Sequence, residues 1–330
     1  MRPLAVSIGD PAGIGPELLA EAWTRRDAER LPPFLVVGGA VVLAEAAAQR
    51  GLAMPIKGIS GPGEAAAAFA HALPVLEHND GSYRPGRPSR EGAALALASL
   101  EEATRLTVDR LAAALVTAPI AKALLAEVGF THPGQTEFVA AACDVAPEDA
   151  VMMLAGPSLR TVPLTVHVPL AAVPGLITQD LIVRRGRIVA AALVRDFGIA
   201  APRLALAALN PHAGEQGRMG SEDDAVVAPA VATLRAVGID ATGPHPADGL
   251  FTERARQTYD AALCMYHDQA LIPLKALDFD AGVNVTLGLP IVRTSPDHGT
   301  AFSLAGTGKA TQTSMLAAIR TADRLTGKTA

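Results

Sequence analysis

Short runs of aliphatic and β-branched residues alternate with alanine-rich amphipathic stretches along the whole chain of 330 residues. Most of the short runs are continuously apolar, which is typical of strands buried on both faces of a parallel sheet. The runs interpreted as strands are PLAVSIG, FLVVGG, AALVTAP, TVPLTVHVPL, RLALAALN, AALCMYH and GVNVTLGLPIVRTS. Because strand and helix alternate, the connections are crossovers, and the sequence predicts an α/β fold with a mostly parallel sheet and helices on both faces.

The ends of the predicted helices carry recognisable capping signals. The helix candidates are PELLAEAWTRR, AVVLAEAAAQRG, SREGAALALASLEEATRLT, QDLIVRRGRIVAAALVRDFG and EDDAVVAPAVATLRAVG. Ser89 and Ser221 precede first turns that contain glutamate, as N-caps do. Gly51, Gly198 and Gly238 stand where a helix would end in the left-handed conformation.

Length and charge limit the classes of protein that fit. A chain of this length exceeds one simple core and predicts two lobes of about 150 residues each. The formal charge is −5 and no run of five basic residues occurs, which argues against a nucleic-acid partner. Cys143 and Cys264 lie in apolar surroundings, without the spacing of a metal or disulfide motif. We find no signal peptide and no uninterrupted apolar span, so we expect a cytoplasmic protein without a membrane partner.

Three histidines stand in short polar interruptions of apolar sequence. His167 lies in TVHVPL, His212 in ALNPHAGEQG and His267 in CMYHDQALIPLK. Intervals of 45 and 55 residues exclude a zinc finger or a single-helix HExxH pair. Each histidine follows or lies within a run that resembles a buried strand, and open α/β sheets build their sites at strand ends. Imidazole is the commonest protein ligand of transition metals, so the sequence predicts a metal site assembled by the fold.

Polar neighbours of these histidines could orient the rings through the second ring nitrogen. The neighbours are Asn210 and Glu215 for His212, and Asp268 and Gln269 for His267. Asp248 adds a carboxylate in the Pro/Gly-rich segment GPHPADGLF, where His245 is a competing candidate ligand.

A second group of residues could bind an anion. Lys275 in IPLKAL and Arg293 in IVRTSPDHGTAF lie in mainly apolar segments, where an unpaired charge would be costly, and Asn284 lies in GVNVTLGLP. Together they predict a pocket for phosphate or carboxylate, in which arginine can bind two oxygens. Lys275 could instead transfer a proton.

Two polar loops precede predicted helices. SIGDPAGIGPE is a glycine-rich turn between a strand and a helix, through which a ligand could approach backbone amides, but it lacks the GxGxxG spacing of dinucleotide sites. THPGQTEF has Thr136 either as a helix N-cap or as a donor to a substrate oxygen.

Eight segments, in order from residue 7 to about residue 319, resemble the 4-hydroxythreonine-4-phosphate dehydrogenase (PdxA) family of vitamin B6 biosynthesis. They are GDPAGIGPE, TAPIAK, PGQTEF, HVPL, NPHAGE, YHDQALIPLK, GVNVTLGLPIVRTSPDHGTAF and AGTGKA. GDPAGIGPE and HGTAFSLAG are also similar to segments of isocitrate and isopropylmalate dehydrogenases. The resemblance implies their two-lobed α/β/α fold with an active cleft between the lobes. The first lobe would comprise 1–128 and 294–330 on the cofactor side, and the second 129–293 on the metal and substrate side.

The resemblance also implies roles for individual residues. The implied ligands of a divalent metal, zinc or alternatively magnesium or cobalt, are His167, His212 and His267. The implied substrate-binding residues are Gln135, Thr136, Lys275, Asn284 and Arg293. The implied cofactor-binding residues are His298, Gly299 and Thr300. Lys275 and Asp248 are the two candidate proton acceptors. The family usually has GHTE where this chain has GQTE, so Gln135 keeps a donor and an acceptor but cannot titrate.

The implied reaction is metal-dependent oxidation of 4-phosphohydroxy-L-threonine by NAD or NADP. Decarboxylation of the resulting 2-amino-3-oxo-4-phosphohydroxybutanoate gives 3-amino-2-oxopropyl phosphate, in a homodimer whose interface completes each site. Gln135 leaves open a related dehydrogenase acting on 4-phosphothreonate, phosphoerythronate or an aromatic cis-dihydrodiol carboxylate. Two other classes also remain, a non-catalytic metabolite-binding regulator and a zinc hydrolase, although the hydrolase leaves the anion pocket unexplained.

Overall fold

A computed structural model describes residues 2–327, which form two compact units. One unit runs to Pro147 and resumes at Leu289, and the other is Glu148–Gly288. The chain therefore starts in one unit, builds the second and returns. The predicted second lobe of 129–293 compares with 148–288 in the structure.

The secondary structure alternates between strand and helix along the chain. The strands are β1 (Leu4–Ser7), β2 (Phe34–Val37), β3 (Ile56–Ile59), β4 (Leu73–Leu76), β5 (Leu115–Thr117), β6 (Val151–Ala155), β7 (Arg160–Pro163), β8 (Arg203–Ala207), β9 (Asp240–His245), β10 (Ala261–Cys264), β11 (Val283–Leu287) and β12 (Arg293–Pro296). The helices are α1 (Gly15–Thr24), α2 (Ala40–Gln49), α3 (Ala65–Phe69), α4 (Arg90–Val108), α5 (Lys122–Ala126), α6 (Gln135–Ala142), α7 (Val173–Leu176), α8 (Gln179–Arg195), α9 (Ala228–Ala236), α10 (Ala247–Leu250), α11 (Glu253–Arg256), α12 (His267–Asp278) and α13 (Thr313–Thr326).

The strands of the first unit are all parallel, in the order β3-β4-β2-β1-β5-β12. Every residue of β1, β2, β4 and β5 is buried. Continuous burial explains why these strands show no polar alternation, since helices cover both faces of a parallel sheet. The predicted α/β class is confirmed.

The second unit has the strand order β11-β6-β7-β10-β8-β9. The pairs from β7 to β9 are parallel, whereas β6 is antiparallel to both β11 and β7. A tight turn joins β6 to β7, and the buried carboxylate of Asp278 accepts the amide of Ser158 in that turn at 2.8 Å. A hairpin of this kind needs no crossover helix, in contrast to the parallel pairs of the same unit.

The predicted helix ends are largely confirmed. Ser89 is the N-cap of α4 and its hydroxyl accepts the amide of Gly92 at 3.1 Å. Gly51, Gly198 and Gly238 follow helices with φ of +65°, +67° and +84°. These glycines adopt the left-handed conformation that the C-terminal signal requires.

Three predicted strands are shorter than the sequence indicated. TVPLTVHVPL is a strand only to Pro163, because proline lacks an N–H to donate and His167 has φ of +55°. AALCMYH ends at Cys264, and a helix starts at His267. GVNVTLGLPIVRTS is two strands, since Gly288 at φ of +84° breaks the run.

One hydroxyl in α4 joins the helix to the sheet of the first unit. Ser99 is fully buried, accepts the amide of Ile8 at 2.9 Å and donates to the carbonyl of Val37 at 2.7 Å. We expect Ser99→Ala to lower the free energy of unfolding by about 3 kcal/mol, because two buried backbone groups lose their partner. Urea denaturation measures the change.

Thr104 in the same helix provides the matched control. Its hydroxyl is also buried but has no hydrogen-bond partner among the described residues. Thr104→Val should therefore change stability by less than about 1 kcal/mol. Equal losses in the two variants would show that the Ser99 bridge contributes nothing specific.

Candidate active site

Arg293 is the centre of a polar cluster in the first unit. It begins β12 and is only 3% exposed. Its guanidinium donates to the hydroxyl of Thr117 at 2.7 Å, to the side-chain oxygen of Gln135 at 2.8 Å and to the hydroxyl of Thr136 at 3.4 Å. The first unit thus brings together Gln135, Thr136 and Arg293, three of the five predicted substrate-binding residues. Thr117 begins the TAPIAK segment but was not assigned a role, because its partner Arg293 is far away in the sequence.

Local structure explains the arrangement. The strand β5 is parallel to β12, with Arg293 opposite Leu115, so Thr117 follows two residues further along the same edge. Helix α6 begins at Gln135 with Gly134 as its N-cap. The alternative that Thr136 caps this helix is therefore wrong, and Thr136 lies in the first turn. Gln135 and Thr136 precede Pro147 and so belong to the first unit, whereas the predicted boundary at residue 129 assigned them to the second lobe.

The amide of Gln135 is fixed at both ends. Its nitrogen donates to the carbonyl of Ala118 at 3.1 Å, and its oxygen accepts from Arg293. The donor and the acceptor of the side chain are thereby both used, which fixes the orientation of the amide.

Burial makes the Arg293 guanidinium receptive to an anion. Burial lowers the pKa of Arg293 to about 10, and the carboxylate of Glu137 opposes that shift. The group still carries a positive charge at neutral pH. Its acceptors Thr117, Gln135 and Thr136 are neutral, and a phosphate or carboxylate would make a stronger, charge-assisted hydrogen bond.

The predicted cofactor segment packs on the glycine-rich loop. The carbonyl of Thr300 accepts the amide of Ile14 at 3.0 Å, and a Cβ on Gly13 would lie only 2.8 Å from that carbonyl oxygen. The amides of Ala12 and Gly13 are bonded to Asp10. Gly13 therefore permits close packing of the two loops, and the amides of Ala12, Gly13 and Ile14 bond within the protein.

Helices α1 and α2 hold the chain that follows the cofactor segment. Glu17 is fully buried, with Arg50 Nη1 3.5 Å from its carboxylate. Burial raises the pKa of Glu17, while Arg50 and the backbone of Gly306 oppose the shift. Gln49 also donates to the carbonyl of Gly306 at 3.2 Å. His298 bonds through Nδ1 with the carbonyl of Gly299 at 3.0 Å, and its buried Nε2 has no partner within residues 2–327.

Two of the predicted metal ligands face each other in the second unit. The ring centroids of His167 and His267 are 5.7 Å apart, beside a cavity of about 260 Å³. The cavity is also lined by Thr165, Val168, Leu170, Val173, Tyr266 and Asp268. Asp268 lies 2.7 Å from Nδ1 of His267, which leaves Nε2 to face a ligand. Gln269 does not orient the ring, since it bonds to the backbone of Met265 and Ala208.

His212 is exposed and lies in a left-handed segment of the same unit. The side chain of Asn210 bonds to Glu222 and Asp223, so the predicted pairing of Asn210 with His212 is wrong. Residues 2–327 contain no group of three or more His, Cys, Asp or Glu side chains that could hold a metal. The paired imidazoles of His167 and His267 suit a transition metal. Within residues 2–327, His212 does not join them in a group of three.

The remaining candidates occupy three elements of the second unit. Lys275 is half-buried in the last turn of α12, and Asp248 is exposed in the first turn of α10. Asn284 lies on β11 opposite Leu154, and its buried Oδ1 has no partner among the described residues. An amide with an unused buried oxygen can still accept a hydrogen bond from a ligand.

His245 forms a hydrogen bond with Thr242 at 2.8 Å, and burial lowers its pKa below the usual 6.5, with a smaller contribution from Arg235. Between that lowered pKa and 6.5 the unfolded chain binds more protons than the folded one, so stability rises with pH.

We expect His245→Asn to flatten this rise in stability with pH, as measured by urea denaturation at pH values across the interval. A slope unchanged in H245N would refute the assignment of this rise to His245.

The fold and the polar side chains at its strand ends are those of an α/β enzyme. The family model for pyridoxal phosphate biosynthetic protein PdxA matches residues 30–322. The chain belongs to this family, so the resemblance predicted from the motifs is confirmed.

Relatives and solved structures match over nearly the whole length. The 4-hydroxythreonine-4-phosphate dehydrogenase of Erythrobacter litoralis is 65% identical, over 96% of this chain and 95% of that protein. The crystal structure of the enzyme of that name from Klebsiella pneumoniae has a TM-score of 0.87 and 37% identity, over 98% of both chains. A terephthalate 1,2-cis-dihydrodiol dehydrogenase from Burkholderia xenovorans has a TM-score of 0.65 and 28% identity, over 99% and 98%. No helix in residues 2–327 could span a membrane.

Proposed function

We propose that the protein oxidises 4-phosphohydroxy-L-threonine with NAD⁺ or NADP⁺ and a divalent metal. The oxidised product, 2-amino-3-oxo-4-phosphohydroxybutanoate, loses CO₂ to give 3-amino-2-oxopropyl phosphate, in the synthesis of pyridoxine 5′-phosphate. The observation that carries the proposal is the buried Arg293 guanidinium, which donates hydrogen bonds to Gln135 and Thr136. A relative named for this activity and 65% identical over nearly the full chain supports the substrate.

The anion cluster suits the phosphate group of this substrate. Arg293 supplies the charge, the hydroxyl of Thr136 can donate to a phosphate oxygen, and the fixed amide of Gln135 orients the guanidinium. Lys275 and Asn284 are proposed to bind other polar groups of the same substrate, where the unpartnered oxygen of Asn284 supports an acceptor role.

The proposed metal ligands are His167, His212 and His267. The paired rings of His167 and His267 support them, and imidazole donors favour zinc or cobalt over magnesium. A divalent metal supplies Lewis acidity, which lowers the pKa of a hydroxyl and polarises a carbonyl. Asp268 keeps the His267 ring oriented through Nδ1.

Proton transfer is proposed for Lys275 or Asp248. The half-buried position of Lys275 favours it, because water screens an exposed carboxylate such as Asp248. Nicotinamide bound beside His298, Gly299 and Thr300 supplies the hydride acceptor. The proposal includes a cytoplasmic homodimer in which each interface completes a site.

The first test is turnover, followed as reduced nicotinamide at 340 nm with Zn²⁺, Co²⁺ or Mg²⁺ present. We expect activity with 4-phosphohydroxy-L-threonine, and activity at least tenfold lower in kcat/KM with 4-phosphothreonate or a cis-dihydrodiol carboxylate. The higher similarity to the Klebsiella enzyme than to the dihydrodiol dehydrogenase favours this order. Absence of turnover with the first substrate, or preference for another, would reject the proposal.

Removal of the metal by a chelator should abolish activity, and addition of Zn²⁺ should restore it.

Substitution of Arg293 tests the phosphate site. Lysine carries its three donors on a single nitrogen, so it cannot reproduce the planar guanidinium that binds Thr117 and Gln135 and still offers N–H groups to a ligand. We expect Arg293→Lys to raise KM for the phosphorylated substrate by about tenfold or more, which corresponds to about 1.4 kcal/mol. The dissociation constant for NAD⁺ should stay within about twofold. Arg110→Lys is the control, since Arg110 is exposed and donates to the carbonyl of Pro290 at 3.4 Å. Equal KM values for R293K and R110K would contradict the assignment.

A further inference from the structure

The segment that carries His212 has an unusual backbone conformation. Six consecutive residues, 212–217, have positive φ. The values are +52° for His212, +54° for Ala213, +76° for Gly214, +43° for Glu215, +57° for Gln216 and +83° for Gly217. Only two of the six are glycine, and the left-handed conformation is unfavourable for the others. Such a segment persists only where its surroundings hold it in place.

The carboxylate of Asp223 holds the beginning of this segment. Asp223 is fully buried. Its Oδ1 accepts the amide of Leu209 at 2.7 Å, and its Oδ2 accepts the amide of Asn210 at 3.0 Å. Oδ2 also accepts the side-chain nitrogen of Asn210 at 3.1 Å. One carboxylate therefore fixes the two residues at which the chain leaves β8 and approaches His212.

The chain around Asp223 reinforces this arrangement. Asp223 begins a π-helical turn, Asp223–Val227, before α9, and such turns are frequent at functional sites. Glu222 accepts a second hydrogen bond from Asn210 at 2.9 Å. A Cβ on Gly220 would lie 2.6 Å from that Asn210 nitrogen, and one on Gly214 would lie 2.8 Å from the carbonyl of Gly220. The return of the chain at Gly220 thus packs directly on Asn210, just before the segment, and on Gly214 within it.

We propose that Asp223 is a positioning residue for His212. Asp223 fixes Leu209 and Asn210, and these two residues fix the start of the left-handed segment 212–217 that carries His212. The inference rests on the proposed role of His212 as a metal ligand. Asp223 is fully buried and both of its oxygens already accept hydrogen bonds from Leu209 and Asn210, so we assign it to positioning and not to metal binding.

The chemistry of the three donors explains why a carboxylate is needed. Leu209 and Asn210 donate three N–H groups to the two oxygens of Asp223. Both oxygens of a carboxylate are acceptors, so all three donors are satisfied. An asparagine has one oxygen and an NH₂ group, so Asp223→Asn leaves at least one buried N–H facing another donor. The loss falls on the backbone next to His212, while the imidazole itself is unchanged.

The experiment measures the affinity of the full chain for Zn²⁺ by competition with a chromogenic chelator. We expect His212→Ala and Asp223→Asn each to weaken Zn²⁺ binding by about tenfold or more. Asp224→Asn is the matched control, because Asp224 is the next residue in the same turn and is exposed. D224N should bind Zn²⁺ within about twofold of the wild type.

A double variant separates positioning from a general structural role. If Asp223 acts through His212, then adding D223N to H212A should leave the affinity for Zn²⁺ unchanged. A further loss of tenfold in the double variant would overturn the inference. Amide hydrogen exchange should also be faster in D223N at residues 209–218 and unchanged in β10.

Other outcomes are equally decisive. If the wild type binds no Zn²⁺, or H212A binds it as the wild type does, the metal role proposed for His212 is wrong and the inference falls with it. If H212A weakens binding but D223N matches D224N, only the inference fails. Should D223N not fold, the variant Asn210→Ala tests whether Asp223 positions His212. It removes one of the three hydrogen bonds and should weaken Zn²⁺ binding about threefold, with no effect in the H212A background.

Discussion

The parallel pairing of the three-residue strand β5 is the constraint on which the first unit depends. This strand is bonded to β1 on one side and to β12 on the other. It therefore fixes the relative positions of two segments that are almost 290 residues apart in the sequence. Thr117, the last residue of β5, accepts a hydrogen bond from Arg293, and directly beyond the strand the carbonyl of Ala118 accepts one from Gln135. The carbonyl of Pro119 accepts the amide of Asp10, so the glycine-rich loop is held at the same strand end.

Much of this fold could be predicted from sequence because local signals and burial agree. Continuous apolar runs marked the parallel strands, and Ser89 and Gly51 marked helix ends by their own conformational preferences. Four strands were missed, namely β3, β4, the hairpin strand β6 and β9. The segment of β6 is rich in methionine, and β9 contains glycine and proline, so neither has the composition of a strand. Both strands exist because their neighbours provide hydrogen bonds.

The site was predicted less completely, and the reasons are physical. Motifs indicated which residues matter, but the partner of a buried side chain is chosen by packing. Thr117 lies in the TAPIAK segment and Asp223 in a predicted helix, yet neither was assigned a role, since the partners of a hydroxyl or carboxylate are not known until the backbone around it is known. The helix that begins at His267 was obscured by Pro273, which the sequence rules place outside a helix interior.

The clamped amide of Gln135 has a consequence for how the enzyme responds to acidity. A histidine at this position would change its charge near pH 6.5, and capture of a phosphate would then depend on the proton concentration in the cell. An amide carries no charge at any physiological pH. Gln135 therefore gives the cluster around Arg293 no charge that changes between neutral and mildly acidic pH. Any dependence of anion binding on acidity at this cluster must come from the anion itself or from another group of the protein.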